Sequence, residues 1–316
     1  MTAQSETKST AAAPGLSIII VNYNGGHRVE ACLESIARHP GRRAVEVIVY
    51  DNASRDGSGD RIAERFPESR LIRGSENLGL CRAFNLAARE AQAPYILALD
   101  NDTVLLEGAI DGMLDFLEAR PDVGAVGSNL YNTDMTLQLA ARRFPGALSG
   151  MFSRRGILTR VFPRNPVASH DLMADRRDSK EPYEVDWHSA ASLMLPRRVY
   201  DQIGGFDERF FVYWSDADLC ARVRAAGYSV YTVPAARIVH DETLAGRKGP
   251  ANPRMVIDFH RGAYQFYRNH RLSGPLLALA APTWLALAAR ATLLIGIDRL
   301  RWKLRRALAG TPHGGA

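Results

Sequence analysis

The sequence has only three cysteines in 316 residues, Cys32, Cys81 and Cys220. They are far apart and odd in number, which excludes a disulfide framework and a CxxC metal site; a reducing compartment is the natural expectation. The N-terminus lacks the apolar run of a signal peptide, and residues 1–13, MTAQSETKSTAAA, read instead as a disordered tail. No GxGxxG or GxxxxGK[ST] follows any apolar run, which argues against a dinucleotide fold and a P-loop. What is present suffices for a packed core: 46% of the residues are hydrophobic, excluding wholesale disorder and collagen-like repetition.

The formal charge of +6, from 40 Lys+Arg against 34 Asp+Glu, is unevenly placed. Between Arg254 and Arg306, ten basic residues stand against two acidic ones, a local charge of +8, so everything before that segment sums to −2. A basic tail on a near-neutral body points to an anionic surface as partner. Nucleic acid is set aside, because the body is slightly acidic and no RNA- or DNA-binding motif appears.

Residues 16–21 (LSIIIV), 45–50 (VEVIVY) and 95–99 (YILAL) are short apolar runs suited to buried strands, with a further short strand near Leu71. Between them, Val29, Cys32, Leu33 and Ile36 recur at helical spacing, and residues 62–66 and 78–90 read as helices. This alternation over roughly the first 130 residues predicts right-handed βαβ units, a mostly parallel sheet and an α/β fold. Residues 132–184 are irregular and rich in Arg and Pro, including Arg142-Arg143-Phe144-Pro145, and look like a long insertion. Beyond them the pattern predicts a strand at 189–195, helices at 199–203 and 216–226 (the second capped by Gly227), and a strand at 228–233.

Ligands of such sheets sit at the carboxyl ends of the strands. Three polar clusters fall there: Asn22-Tyr23-Asn24, Asp51-Asn52 and Asp100-Asn101-Asp102. Any one alone reads as a turn, but three on one rim argue for a binding cleft. The Asp-x-Asp step offers two hard oxygen ligands that can share a divalent cation and a diphosphate, and Mg²⁺ or Mn²⁺ suits that donor set. The competing reading is a strand-ending turn with N-cap duty. A second constellation spans residues 204–220, with a glycine pair, five aromatics and several acids. Asp216 and Asp218 stand at a helix start, where the macrodipole favours carboxylates. Capping would account for one of them, Asp218, but not for an aromatic approach that resembles a sugar platform beside a general base.

The set VNYN, YDNASRDGS, ENLG, LDNDT and GGFDERFFVYWSDADLCARVRAAGY resembles the family 2 glycosyltransferases, which have the GT-A fold, over about residues 16–245. The similarity is greatest to the bacterial rhamnosyltransferase-like branch that builds surface polysaccharides. It implies an inverting transfer of a sugar, L-rhamnose from dTDP-rhamnose, from a nucleotide-diphosphate donor to an acceptor hydroxyl. Another sugar (galactofuranose, glucose or an amino sugar) or an inactive glycan-binding relative is the alternative, and intact Asp102 and Asp216 speak against the latter. The resemblance implies that Tyr23 and Asp51 hold the base and Asn77 lines the nucleotide site. Asp100 would reach the ribose or metal shell, and Asp102 would be the main protein ligand to the cation. Asp216 would deprotonate the acceptor and remain ionised at neutral pH. His240 would be a further metal ligand, although a lone histidine after a strand is also commonly structural. Trp187 and Trp214 are candidates for acceptor contact, with a place in the core as the alternative. Three departures stand out: Ser215-Asp216 where the family has Glu-Asp, a bulky Cys81-Arg82-Ala83-Phe84 after ENLG, and His188 where small residues are common.

In the tail, residues 272–289 are uncharged but interrupted by Pro275 and Pro282, which suggests a re-entrant or interfacial placement. Beyond Arg290, apolar residues recur at helical spacing among Arg299, Arg301, Lys303, Arg305 and Arg306, the pattern of a basic amphipathic helix on an anionic leaflet. Packing on the catalytic domain, or a homo-oligomer interface, is the competing reading. The expected organisation is therefore a tail at 1–14, a GT-A domain at 15–250 with an acceptor-side insertion at 132–184, and a basic helical tail at 251–316. The partners would be a nucleotide-diphosphate sugar, a lipid-linked or polysaccharide acceptor, and an anionic membrane surface contacted through 272–308. That places the protein in the cytoplasm, peripheral on the inner face of the membrane.

Overall fold

A computed structural model describes residues 13–145, 170–241 and 252–309. The expected N-terminal tail up to residue 12, residues 146–169 of the insertion and the domain boundary near residue 250 lie outside the described residues.

The apolar runs become strands β1 (Leu16–Asn22), β2 (Val45–Asp51) and β4 (Tyr95–Asp100), with β3 (Arg70–Arg73) at one edge. Helices α1 (Arg28–Arg38), α2 (Ser58–Arg65) and α3 (Leu80–Glu90) alternate with them. There follow β5 (Thr103–Leu105), α4 (Ala109–Ala119), β6 (Val123–Tyr131), β7 (Ala141–Arg142), β8 (Tyr183–Val185), β9 (Trp187–His188) and β10 (Ser192–Pro196). The chain continues through α5 (Arg197–Gln202), α6 (Ser215–Ala225), β11 (Ser229–His240), α7 (Pro253–His270) and α8 (Ala280–Ala309). The main sheet runs β3-β2-β1-β4-β10-β6-β11-β5, with β8 also paired to β11, and β7 and β9 form a separate two-stranded ladder. β1, β2, β3 and β4 are mutually parallel, as are β6 and β11, whereas β10, β5 and β8 pair antiparallel to their neighbours.

β1 explains why its run carries no polar alternation. Ile18 and Ile20 face a layer built from α1, α2 and α4, while Ile19 faces α3 and α6. All three are fully buried, and each such side chain contributes about 1.5–3 kcal/mol. The expected strand at 228–233 extends to His240, because Pro234 falls at a register shift between Val233 and Arg237 rather than ending the pairing. That extension sets His240 opposite Thr103 on β5.

The tail differs from its expected interrupted form. Gly274–Leu279 is a 3₁₀ turn and α8 then runs without a break for 30 residues. Pro282 lies in the first turn of α8, where a backbone N–H has no intrahelical partner to lose. Leu276, Leu277, Leu279, Trp284, Leu285, Leu293, Leu300 and Leu304 are exposed. The stretch from Gly274 to Leu304, with an 18-residue window of mean hydropathy 1.5, is by length and composition apolar enough to cross a bilayer.

Candidate active site

Register brings the three polar strand ends onto one rim. Asn22 pairs with Asp51, Val21 with Asp100, and Asp51 with Arg73. Asn22, which sequence reasoning placed only within a cluster, is the brace beneath it. Its fully buried amide donates to Asp51 at 2.9 Å, Ser58 at 2.9 Å and Ser54 at 3.1 Å, and its carbonyl oxygen accepts from Asn101 at 3.0 Å. Gly25 must lack a side chain here, since a Cβ would lie 2.4 Å from Asn22 Oδ1. Tyr23 projects outward beside Asp51, 49% exposed. Asn77 serves the loop itself: its Oδ1 accepts from Asn52 Nδ2 at 3.0 Å and from the Gly79 N–H at 2.9 Å.

Asp100, Asp102 and His240 converge so that one ligand atom from each lies within 4.8 Å of the others. His240 Nε2 stands 3.3 Å from Asp102 Oδ1 and 3.7 Å from Asp100 Oδ2. Its Nδ1 lies 3.0 Å from Gln138 Oε1, and Gln138 Nε2 donates to the His240 carbonyl at 2.8 Å. A neutral ring donating from Nδ1 to Gln138 aims its Nε2 lone pair between the two carboxylates, as a metal-ligating histidine requires. Two hard oxygens and one imidazole fit a divalent cation such as Mn²⁺ or Mg²⁺. Arg28, at the start of α1, lies 3.9 Å from Asp102 and 3.4 Å from Asp241, partly offsetting the negative charge. Neither Gln138 nor Arg28 had a sequence signal, because both act through contacts distant in the chain.

Asp216 is tied to this group through the segment before β10. The Asp100 N–H donates to the Ala191 carbonyl at 3.1 Å, and the backbone of the neighbouring Ala190 lies close enough to the Asp216 carboxylate to favour its charged form. Asp216 Oδ1 also accepts from the Ala217 N–H at 2.9 Å. The helix start is not the only influence on the charge of this acid. Burial pushes its pKa up, and the Ala217 bond and the charge of Arg142 only partly oppose that. Asp218 is not the helix cap either. It is fully buried, ion-paired to Arg222 at 2.8 Å and hydrogen-bonded with His270 at 2.7 Å, while Trp214 occupies the N-cap position.

Of the aromatic candidates, Trp187 carries the Arg142 guanidinium 5.2 Å from its ring centre and donates through Nε1 to the Arg143 carbonyl at 3.1 Å. Trp214 packs against Phe259, Phe266 and Tyr267 of α7. The exposed aromatics of its loop are Phe211 and Tyr213, which sequence reasoning did not single out. His188 is fully buried, with its pKa pushed down to about 4 by that burial, so it belongs to the core.

Comparison with known proteins gives this geometry a context. The profile of glycosyl transferase family 2 matches residues 17–182. An N-acetylglucosaminyl-diphospho-decaprenol L-rhamnosyltransferase of Mycobacterium tuberculosis is 30% identical over 311 residues, spanning 94% of this chain and 92% of the relative. The rhamnosyltransferase WbbL of Escherichia coli is 34% identical over 154 residues, covering 48% of this chain and 54% of its own. Among solved structures, the mannosyltransferase PcManGT of Pyrobaculum calidifontis, in complex with GDP-Man and Mn²⁺, superposes with a TM-score of 0.55 at 19% identity. That superposition covers 95% of this chain and 77% of the mannosyltransferase, and it supports a GT-A-like fold.

Proposed function

The chain belongs to glycosyl transferase family 2, as a rhamnosyltransferase-like glycosyltransferase, and from that premise we propose that it moves L-rhamnose from dTDP-rhamnose to a hydroxyl of a lipid-linked glycan precursor. The observation that carries the reading is the Asp100–Asp102–His240 group on the rim beside Asp51, with Asp100 bonded to the Ala190–Ala191 segment that neighbours Asp216. The sugar and acceptor come from the relative that aligns over 94% of this chain.

In this reading Asp51 and Tyr23 receive the nucleotide base, and Asn22 holds Asp51 in place for it. Asp102, Asp100 and His240 would hold Mn²⁺ or Mg²⁺. When bound, the cation offsets charge on the leaving diphosphate. Asp216 accepts the proton of the acceptor hydroxyl as that oxygen bonds to the anomeric carbon and the bond to the diphosphate breaks, with inversion. Its raised pKa gives it more basicity than an ordinary carboxylate, and it must be deprotonated before each transfer. Phe211 and Tyr213 offer exposed ring faces near this helix start for an acceptor sugar.

The apolar surface of α8, ending in exposed Arg299, Arg301 and Lys303, would seat the enzyme on an anionic inner leaflet where a lipid-linked acceptor resides. Incubating the purified chain with a panel of nucleotide sugars, with and without Mn²⁺ or Mg²⁺, tests the reading. Turnover of dTDP-rhamnose that needs a divalent cation is the expected result. Preference for a galactofuranose, glucose or amino-sugar donor would replace the sugar, and no turnover of any donor would remove the activity.

A further inference from the structure

Contacts from α7 converge on both sides of Asp216. Gly262 lies so close beneath the preceding loop that a Cβ there would stand 2.5 Å from the Tyr213 carbonyl oxygen and 3.1 Å from the Trp214 ring. One turn earlier, Asp258 accepts from the Tyr213 N–H at 3.2 Å. At the far end of the helix, His270 Nε2 and Asn269 Nδ2 meet Asp218 Oδ1 at 2.7 and 3.3 Å. Trp214 lies between these anchorages at φ 72°, a left-handed conformation that costs a bulky residue energy and persists only where its surroundings impose it. Those surroundings are again α7, because Phe259, Phe266 and Tyr267 lie 5.7, 5.4 and 6.3 Å from the Trp214 ring, centre to centre.

One helix therefore grips the peptide before Asp216 and the carboxylate two residues after it. Packing of the domain core would need only the apolar part of this interface. It does not require a fully buried acid bonded to two residues of another helix, or a left-handed tryptophan at the cap of the helix that bears Asp216. We propose that α7 is the positioning element of the acceptor-side base, with Gly262, Asp258 and His270 fixing the direction of the Asp216 carboxylate through Tyr213–Trp214 and through Asp218. This rests on the reading of Asp216 as that base. α7 also leads into α8, whose Arg290 turns inward to within 3.4 Å of His260 on α7. The seat of the base and the exposed apolar helix are thus parts of one hairpin.

The test uses the full chain with Gly262→Ala, His270→Ala and His270→Gln, and Asp216→Asn as reference. Each variant is measured for melting temperature, for binding of dTDP with Mn²⁺, and for kcat and donor KM with whichever donor the wild type turns over. Gly262→Ala and His270→Ala should lower kcat by about 10- to 100-fold, since misplacement of a reacting group by about 1 Å costs that much. Donor KM and dTDP affinity should stay within twofold. His270→Gln, whose amide N–H can replace the imidazole donor, should recover most of the loss. Normal kcat in both Gly262→Ala and His270→Ala overturns the proposal, as does a parallel change in kcat and donor KM, or His270→Gln as slow as His270→Ala. If Gly262→Ala fails to fold, the two His270 variants decide the matter alone. Asp216→Asn separates the two layers: activity in that variant removes the base itself, whereas an inactive Asp216→Asn beside fully active α7 variants removes only the positioning role.

Discussion

Replacing Asp216 by Asn should inactivate the enzyme and make it more stable. The folded-state pKa of Asp216 is raised by burial above its unfolded value, so the native state binds the proton more tightly. The stability this confers is complete below the unfolded pKa and is lost as pH rises through the raised value. At pH 7 the partly desolvated carboxylate is thus a net cost that an amide avoids, while Asn can still accept the Ala217 N–H bond. Relief of one such functional-site strain is typically about 1 kcal/mol, which for a domain of this size shifts Tm by about 2–4 °C. The same change removes the proton acceptor and should lower kcat by about 10²- to 10⁴-fold. Thermal unfolding at pH 7 and pH 5, beside turnover, reads both effects, and the Tm advantage of Asn should shrink at the lower pH. A variant that melts below wild type at pH 7 would refute the burial argument, and one that turns over normally would refute the base.

Other parts of the account make separate demands. Gln138→Leu should weaken Mn²⁺ affinity by about 10- to 100-fold, because it removes the group that orients His240; titration calorimetry reads this, and unchanged affinity would remove Gln138 as the group that orients a metal-binding His240. Asn22→Ala should cost about 1–3 kcal/mol and weaken nucleotide binding, since it strips buried partners from Asp51 and Asn101; denaturant unfolding and dTDP binding measure the two losses. Wild-type kcat should fall as pH drops through the raised pKa of Asp216, at higher pH than an ordinary carboxylate would give, and a flat profile down to pH 4 would contradict this. Deleting residues 274–316, which leaves α7 whole, should move the protein from the membrane to the soluble fraction. A wild type already soluble on fractionation would end the membrane reading.

The parallel half of the fold was legible because β1, β2 and β4 are short runs without polar alternation, and only strands buried on both faces read that way. Their polar ends could be placed on one rim for the same reason. The pairing of His240 with Thr103 was not legible: β5 has three residues, and Pro234 hides the continuation of β11 behind a register shift. Gln138 escaped notice because its contact with His240 spans 102 residues and carries no periodicity. Pro275 and Pro282 suggested a broken tail because a sequence does not show which residue begins a helix; once the helix starts at Ala280, Pro282 sits harmlessly in its first turn. The acidic pair at α6 misled in another way. Dipole reasoning treats both carboxylates as solvated, yet Asp218 is fully buried against α7, and desolvation raises the pKa of Asp216 despite its place in the first helical turn.

A cation-dependent rhamnosyltransferase whose metal ligands are Asp100, Asp102 and His240 must lose transfer when either the cation or Asp102 is removed. The most direct measurement is transfer of labelled sugar from dTDP-rhamnose to a polyprenyl-diphosphate N-acetylglucosamine, in wild type and Asp102→Asn. Readings are taken with EDTA and after Mn²⁺ is restored. The account predicts lipid-bound label in the wild type, lost with EDTA, regained with Mn²⁺, and absent in Asp102→Asn throughout. Transfer that survives EDTA, or persists undiminished in Asp102→Asn, would contradict it.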